Sequence, residues 1–253
     1  MIFNSCPDNE CRPLCIGNNK GSDNRPDKKT SGVPSKEQCE KTDKSIPDRS
    51  YEEPLEKPFD KTPGNTLGLY IHVPFCTSRC PYCDFYSTTS KKDIGEYAAA
   101  VKRTICEYAE KTGRKASSLY IGGGTPGALD TAILCDIAKT AAQRFYIDGQ
   151  KEATCEFNPE TAKKERFEAV KKAGINRISM GLQSSNGEEL RLLGRRHSAL
   201  DAQNAVLLAR ESGFDNISLD IMLGLPFQNE KTLGETIAVC ASGGADHLSS
   251  YIL

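Results

Sequence analysis

The sequence predicts an α/β fold, and three observations support that prediction. Six short apolar segments alternate with segments of helical period, which is the pattern of parallel βαβ units. Polar and glycine-rich residues follow the first, second, fourth and fifth apolar segments, where an α/β fold collects its ligand site. The hydrophobic composition changes sharply at residue 66, so the pattern belongs to residues 67–253.

Residues 1–66 form a polar extension that is predicted to be disordered. They contain 14 residues of the set AVILMFWYC, about 21% of the segment, against about 44% of residues 67–253. Eight of the 13 prolines and four of the 11 cysteines also lie in this extension. Ordering such a segment costs more conformational entropy than its burial returns.

Charge and hydropathy exclude two classes of partner. The formal net charge is −1, so the chain lacks the basic excess that favours binding to nucleic acid or an anionic membrane. No run of about 18 apolar residues could span a membrane, and the extension has no signal-peptide core. The sequence therefore predicts a cytoplasmic protein, in which cysteines are thiols or metal ligands more often than disulfides.

The first predicted strand is Leu67-Gly-Leu-Tyr-Ile-His-Val73, and Asp93-Ile-Gly-Glu96 has the capping-box spacing that opens a helix. Further strands are predicted at residues 117–121, 152–157, 177–182, 216–222 and 247–253, and further helical segments at 128–144, 160–173, 186–212 and 231–241. Six strands and five helices fit either an open doubly wound sheet or most of a βα barrel. Because no helix follows the sixth strand, we expect an incomplete domain, truncated at its C-terminal end.

Three cysteines lie on one loop directly after the first strand. Cys76, Cys80 and Cys83 have the spacing C-x3-C-x2-C, and three thiolates on so short a loop can converge on one metal centre. Structural zinc usually takes four ligands in two separated pairs, and no second pair lies nearby in the sequence. A [4Fe-4S] cluster normally takes four thiolates, so three would leave one iron open to a small molecule.

The segment Tyr-Ile-His-Val-Pro-Phe-Cys-Thr-Ser-Arg-Cys-Pro-Tyr-Cys-Asp-Phe, residues 70–85, resembles the opening of a radical S-adenosylmethionine (SAM) protein. More narrowly, it is similar to the oxygen-independent coproporphyrinogen III oxidase family, which includes a haem-chaperone branch. The resemblance covers residues 67–253. It implies a partial (βα)6 barrel of the TIM type whose three loop cysteines hold a [4Fe-4S] cluster.

Further matches follow in the order of the family. Gly122-Gly-Gly-Thr-Pro126 comes after the second strand, where the family contacts the methionine end of SAM and where glycines let backbone approach a ligand. Arg195 is expected to neutralise the SAM carboxylate. The SAM contacts implied by the resemblance are Tyr70, Tyr82, Gly123, Gly124, Thr125, Glu156, Gln183, Arg195 and Asp220.

The resemblance also implies a mechanism. In the family, one electron from the reduced cluster cleaves SAM into methionine and a 5′-deoxyadenosyl radical, and the barrel keeps that radical away from water. The expected electron donor is a flavodoxin or a ferredoxin. Taken singly, polar residues at strand ends are more typical of capped or solvated positions. Their register with the cysteine motif is what favours a cofactor site.

At two points this sequence departs from the family's pattern, and both concern which branch of the family it resembles. The oxidase branch has an additional cysteine two positions after the third cluster ligand, where this chain has Phe85. The haem-chaperone type is therefore favoured, with coproporphyrinogen III decarboxylation as an alternative. The haem-chaperone branch has a His-Asn-x-x-Tyr-Trp motif downstream of the barrel, whereas this chain contains no tryptophan, so haem and a haem-accepting protein stay open as partners. The alternative from another class is a non-catalytic, zinc-bound interaction domain.

The other cysteines and histidines receive structural interpretations. Those predicted to be small core residues are Cys106, Cys135, Cys155 and Cys240. His197 and His247 are predicted to lie at the surface or at strand ends, and His72 to point toward the cluster, pack in the core or bond a loop. No metal is expected at the extension cysteines Cys6, Cys11, Cys15 and Cys39.

Overall fold

The computed structural model describes residues 66–253, in which six strands alternate with helices. The strands β1 to β6 are Leu67–Val73, Ala116–Gly123, Glu152–Phe157, Arg177–Gln183, Ile217–Leu223 and His247–Ile252. The helices α1 to α6 are Ile94–Thr112, Thr131–Arg144, Lys164–Lys172, Gly187–Leu192, Ala199–Glu211 and Glu230–Ser242. Short 3-10 turns at Pro126–Ala128 and Pro159–Thr161 follow β2 and β3.

The six strands form one parallel sheet in the order β1-β2-β3-β4-β5-β6. Each strand lies beside its predecessor, as in a βα barrel, whereas a doubly wound sheet reverses its order at a switch point. The sheet is therefore a half barrel. This confirms the partial (βα)6 barrel, and the open doubly wound alternative is wrong.

Burial along the strands shows which face packs on the helices. Leu67, Leu69 and Ile71 of β1 are buried, and the residues between them are half-buried on the opposite face. In β4, every residue after Arg177 is buried, so both of its faces are covered. Among the described residues, β6 pairs with β5 alone, and it is largely exposed.

One predicted helix cap and one predicted helical segment differ from the structure. The side chain of Asp93 makes no cap hydrogen bond, so the predicted capping box is wrong; the Asp93 backbone, at φ −107° and ψ 14°, lacks the extended conformation that aims a cap at the first turn. The predicted segment 186–212 is two helices, separated near Gly194, whose φ is +67°. A capping box between Ser198 and Asp201 opens the second of them.

The structural interpretations of the cysteines and histidines are confirmed in part. Cys155 and Cys240 are buried as predicted, while Cys106 and Cys135 are only half-buried. The exposed position of His247 at the start of β6 was also predicted. His197 is buried instead of lying at the surface, because its ring is hydrogen-bonded beneath the end of β4.

The predicted disorder of the extension and the prediction for its four cysteines lie outside the described residues, except at Thr66. Within residues 66–253, no helix is both long and apolar enough to cross a membrane.

Candidate functional site

A cavity of about 490 Å³ opens at the carboxyl ends of the strands. Its wall is built by the loop after β1 and by residues at or after the ends of β2 to β5. Eleven of the twelve residues predicted for the site line it: Cys76, Cys80, Tyr82, Cys83, Gly123, Gly124, Thr125, Glu156, Gln183, Arg195 and Asp220. Tyr70 is the exception.

The cysteine loop is fixed mainly by its backbone. The amide of Cys76 donates to the carbonyl of Thr88 at 3.0 Å, and the amide of Cys83 donates to the carbonyl of Cys80 at 3.1 Å. The amides of Gly124 and Thr125, at the end of β2, donate to carbonyls of Val73 and Phe75 at 2.7 and 2.8 Å. The first two bonds therefore fix the loop within itself, and the last two fix its start beside the end of β2.

The chemistry of the three thiols suits an iron–sulfur cluster, which proteins hold by cysteine thiolates. All three are free and half-buried, and together they line one wall of the cavity. Within residues 66–253, no three His, Cys, Asp or Glu side chains are arranged around one metal ion. A cluster takes its thiolates on different irons, so its ligands do not have to meet at one point.

Gly124 shows how closely the two loops approach each other. A Cβ at this position would lie 2.8 Å from the Phe75 carbonyl oxygen and 3.0 Å from the Cys76 sulfur. Any larger residue would therefore push the glycine-rich turn away from the first thiolate. Burial raises the pKa of the Cys76 thiol, and the hydroxyl of Thr125, which donates to its sulfur, opposes that rise.

Arg195 is half-buried and places a positive charge at the cavity wall. Its Nε and Nη2 donate to the Tyr82 hydroxyl at 3.1 and 2.7 Å, and its Nη1 donates to Asn158 Oδ1 at 2.8 Å. Three of the five guanidinium N–H groups are used in these bonds, and two are left for an anion.

Gln183 lies beside this guanidinium because of an irregularity at the end of β4. The register with β5 shifts between Gly181 and Gln183, and Gln183 has a φ of +69°. A Cβ on Gly181 would lie 2.6 Å from Gln183 Nε2 and 3.1 Å from Arg195 Nη2. The glycine therefore makes room for both polar side chains.

Two carboxyl groups face the cavity from β3 and β5. Glu156 accepts from the Tyr120 hydroxyl at 2.7 Å and from the Gly123 amide at 3.0 Å, and burial raises its pKa to about 7. Burial also raises the pKa of Asp220 to about 6, while the Ser179 hydroxyl, 3.3 Å from Asp220 Oδ1, opposes the rise. Buried carboxylates of this kind favour a ligand that brings positive charge or hydroxyl donors.

Tyr70 is not among the residues that line the cavity. Its ring is stacked on Tyr120 with 6.0 Å between centroids, and its hydroxyl lies 3.2 Å from His72 Nδ1. The other ring nitrogen of His72 lies 2.8 Å from the Tyr86 carbonyl oxygen, so His72 bonds the cysteine loop, one of its three predicted roles.

Several residues in or near the site were not predicted from the sequence, and three of them make hydrogen bonds or close polar contacts there. Asn158 and Ser179 line the cavity, and they bond Arg195 and Asp220 respectively. Asn158 follows β3 directly, so the rule that ligand residues gather at strand ends could have found it. His197 Nε2 lies 3.0 Å from the Leu182 carbonyl oxygen, and its Nδ1 lies 3.5 Å from Glu160 Oε2. No sequence signal indicated that role.

The half barrel, the three-thiol loop after its first strand and the polar cavity at its strand ends together define a radical SAM protein. Residues 70–240 match the sequence model of the Radical SAM superfamily, and the chain belongs to that superfamily. Membership implies that the chain binds a [4Fe-4S] cluster and SAM, both small-molecule cofactors.

Individual proteins that are similar to this chain give more specific matches than the superfamily model does. The chain is 38% identical over 194 residues to the heme chaperone HemW of Haemophilus influenzae, covering 74% of this chain and 51% of that protein. It is 36% identical over 187 residues to HemW of Bacillus subtilis, covering 73% and 49%. The structure of the Escherichia coli coproporphyrinogen III oxidase HemN, a radical SAM enzyme, aligns with a TM-score of 0.69 and 29% identity, covering 74% of this chain and 44% of that one. The chain thus spans about half the length of the curated relatives it matches.

Proposed function

We propose that this chain is a radical SAM protein of the haem-chaperone type, in which Cys76, Cys80 and Cys83 hold a [4Fe-4S] cluster. The observation that carries the proposal is the single cavity in which these thiols meet the guanidinium of Arg195 and two carboxyl groups. The relatives named heme chaperone HemW support the choice of branch. A cytoplasmic location is part of the same proposal.

In this proposal, the chain's own residues bind and orient SAM. The two N–H groups of Arg195 that are left for an anion receive the SAM carboxylate. Glu156, Gln183 and Asp220, which line the same cavity, take the polar groups of the cofactor. Gly123 and Gly124 present backbone to its methionine end, and Tyr82 holds the guanidinium in place.

When bound and reduced, the cluster supplies the one electron that cleaves SAM to methionine and a 5′-deoxyadenosyl radical. We propose a flavodoxin or a ferredoxin as the electron donor. Haem and a haem-accepting protein are the further partners that the relatives' name indicates. The downstream haem motif of the branch does not occur in this chain, so the proposal assigns no haem ligand to it.

The oxidase is the second candidate, and its support is the alignment with HemN. Against it stands Phe85, which occupies the position of the oxidase branch's additional cysteine and has 64% of its surface exposed on the cluster loop. No arrangement of residues within 66–253 supports the zinc-bound alternative.

An anaerobic assay distinguishes the candidates. The reconstituted protein, dithionite, SAM and coproporphyrinogen III are incubated together, and both SAM cleavage and tetrapyrrole decarboxylation are followed by chromatography. We expect 5′-deoxyadenosine and no decarboxylated tetrapyrrole. Turnover of coproporphyrinogen would replace the haem-chaperone proposal with the oxidase.

A further inference from the structure

A chain of hydrogen bonds connects Arg195 to the first cysteine of the loop. Arg195 Nη1 donates to Asn158 Oδ1 at 2.8 Å, and Asn158 Nδ2 donates to Thr125 Oγ1 at 3.2 Å. The Thr125 hydroxyl then donates to Cys76 Sγ at 3.7 Å, within the range for a sulfur acceptor. These bonds connect Arg195 to Cys76 through two residues that follow β3 and β2, Asn158 and Thr125.

The direction of every bond in this chain is fixed by chemistry. A guanidinium can only donate, so the Asn158 atom that faces Arg195 is its carbonyl oxygen. The amide nitrogen of Asn158 must therefore face Thr125, and the threonine oxygen accepts from it. Because that oxygen accepts, the single hydroxyl hydrogen of the buried Thr125 is available for the sulfur.

We propose that Thr125 sets the reduction potential of the cluster through its hydrogen bond to Cys76, and that Asn158 is the positioning residue that aims the Thr125 hydroxyl at the sulfur. This inference rests on the proposed function, since it needs a cluster bound by Cys76. Reduction adds negative charge to the cluster and its thiolates, and a donor to a thiolate stabilises that charge. Hydrogen bonds to cluster sulfurs are among the factors that set such potentials.

The test is an anaerobic redox titration of the reconstituted protein, without SAM, followed by electron paramagnetic resonance. Leaving SAM out separates the bond to Cys76 from any contact of Thr125 with the cofactor. Thr125→Val removes the donor at nearly constant volume, and we expect a more negative midpoint potential. Thr125→Ser keeps the hydroxyl and is expected to restore the wild-type potential.

Asn158→Ala tests the positioning role. We expect a smaller shift in the same direction, because the Thr125 hydroxyl stays but is no longer aimed. In the double variant Thr125→Val/Asn158→Ala, the shift should equal that of Thr125→Val alone, because Asn158 acts through Thr125. Thr140→Val, at a half-buried position on α2 away from the cavity lining, is the matched control and should leave the potential unchanged.

Each other outcome contradicts the inference. A wild-type potential in Thr125→Val would show that the hydrogen bond to Cys76 does not set the potential. Additive shifts in the double variant would show that Asn158 does not act through Thr125. If Thr125→Val fails to retain a cluster, Asn158→Ala still decides, because an unshifted potential there overturns the positioning role. A wild-type protein that forms no cluster would overturn the proposed function itself, and iron and sulfide analysis detects that failure before any titration begins.

Discussion

The cavity has two walls that are encoded in different ways. The thiol wall is a run of eight residues, Cys76 to Cys83, whose backbone amides bond within the run and to Thr88. The opposite wall takes Glu156, Arg195 and Asp220 from positions up to 64 residues apart, and only the parallel sheet brings them together. A local motif thus specifies which cluster is bound, whereas the fold specifies what can bind beside it.

Substitutions in the thiol wall should abolish cluster binding, whereas substitutions in the opposite wall should weaken SAM binding alone. The largest effect is expected at the thiol wall. Cys76→Ala, Cys80→Ala and Cys83→Ala should each abolish cluster binding, because two thiolates hold a cluster poorly. Iron and sulfide analysis after anaerobic reconstitution measures this loss. Cys106→Ala, a half-buried cysteine on α1, is the control and should bind a full cluster. Cys6→Ala should do so as well, and loss of the cluster in that variant would implicate the extension.

A change in the opposite wall should spare the cluster and weaken SAM binding. Arg195→Leu removes a charge-assisted contact of about 2 kcal/mol, so we expect the Kd for SAM to rise about 30-fold. Anaerobic calorimetry on the reconstituted protein measures this change. Arg196→Leu removes the neighbouring, exposed guanidinium and should leave the Kd unchanged. Equal effects of the two substitutions would mean that Arg195 acts only through the overall charge.

A smaller effect is expected where the opposite wall is most crowded. Gly181→Ala places a Cβ 2.6 Å from Gln183 Nε2, so the glutamine side chain must move and the Kd for SAM should rise several-fold. Gly234→Ala on α6 has open space around the new Cβ and should stabilise its helix by about 1 kcal/mol without changing the Kd. Thermal unfolding measured beside calorimetry separates the two effects. An unchanged Kd in Gly181→Ala would mean that Gln183 does not contact SAM.

The pH dependence of SAM binding should report on the two carboxyl groups of the opposite wall. SAM carries a sulfonium cation and favours ionised carboxylates, so its affinity should fall as the pH drops through the pKa values of Glu156, about 7, and Asp220, about 6. The free energy of unfolding of the free protein should change with pH in the opposite direction. A carboxyl pKa raised by folding stabilises the fold most below the unfolded value, and that contribution is lost as the pH rises through about 7.

Calorimetric and unfolding measurements between pH 5.5 and 8, the range of pH in which such carboxyls titrate, check both directions. Tyr120→Phe removes a donor to Glu156 and should move the midpoint of SAM binding to higher pH. A midpoint that does not move in this variant would exclude Glu156 as the group responsible.

The difference between the walls also explains how far the sequence could predict the molecule. The six strands were predicted to within two residues at either end, because period and strand-end glycines are local signals. The capping box predicted at Asp93 does not form, since capping depends on a backbone conformation that residue types alone do not determine.

The contacts behind the site were equally hidden from the sequence. Asn158 bonds a guanidinium 37 positions away, and buried His197 reaches a carbonyl 15 positions before it. Such pairings form only when the parallel sheet brings distant strand ends together, and they leave no periodic pattern in the sequence. Spacing therefore revealed the thiol ligands, while the hydrogen-bonded partners became visible only with the fold.

The central claim is that the three thiols leave one iron of the cluster open beside the polar wall. Anaerobic reconstitution with iron and sulfide, reduction with dithionite and electron paramagnetic resonance with and without SAM test it most directly. We predict a [4Fe-4S] signal that changes when SAM is added to the wild-type protein and changes far less in Arg195→Leu at the same SAM concentration. An intact cluster whose signal is the same with and without saturating SAM would contradict the open iron site.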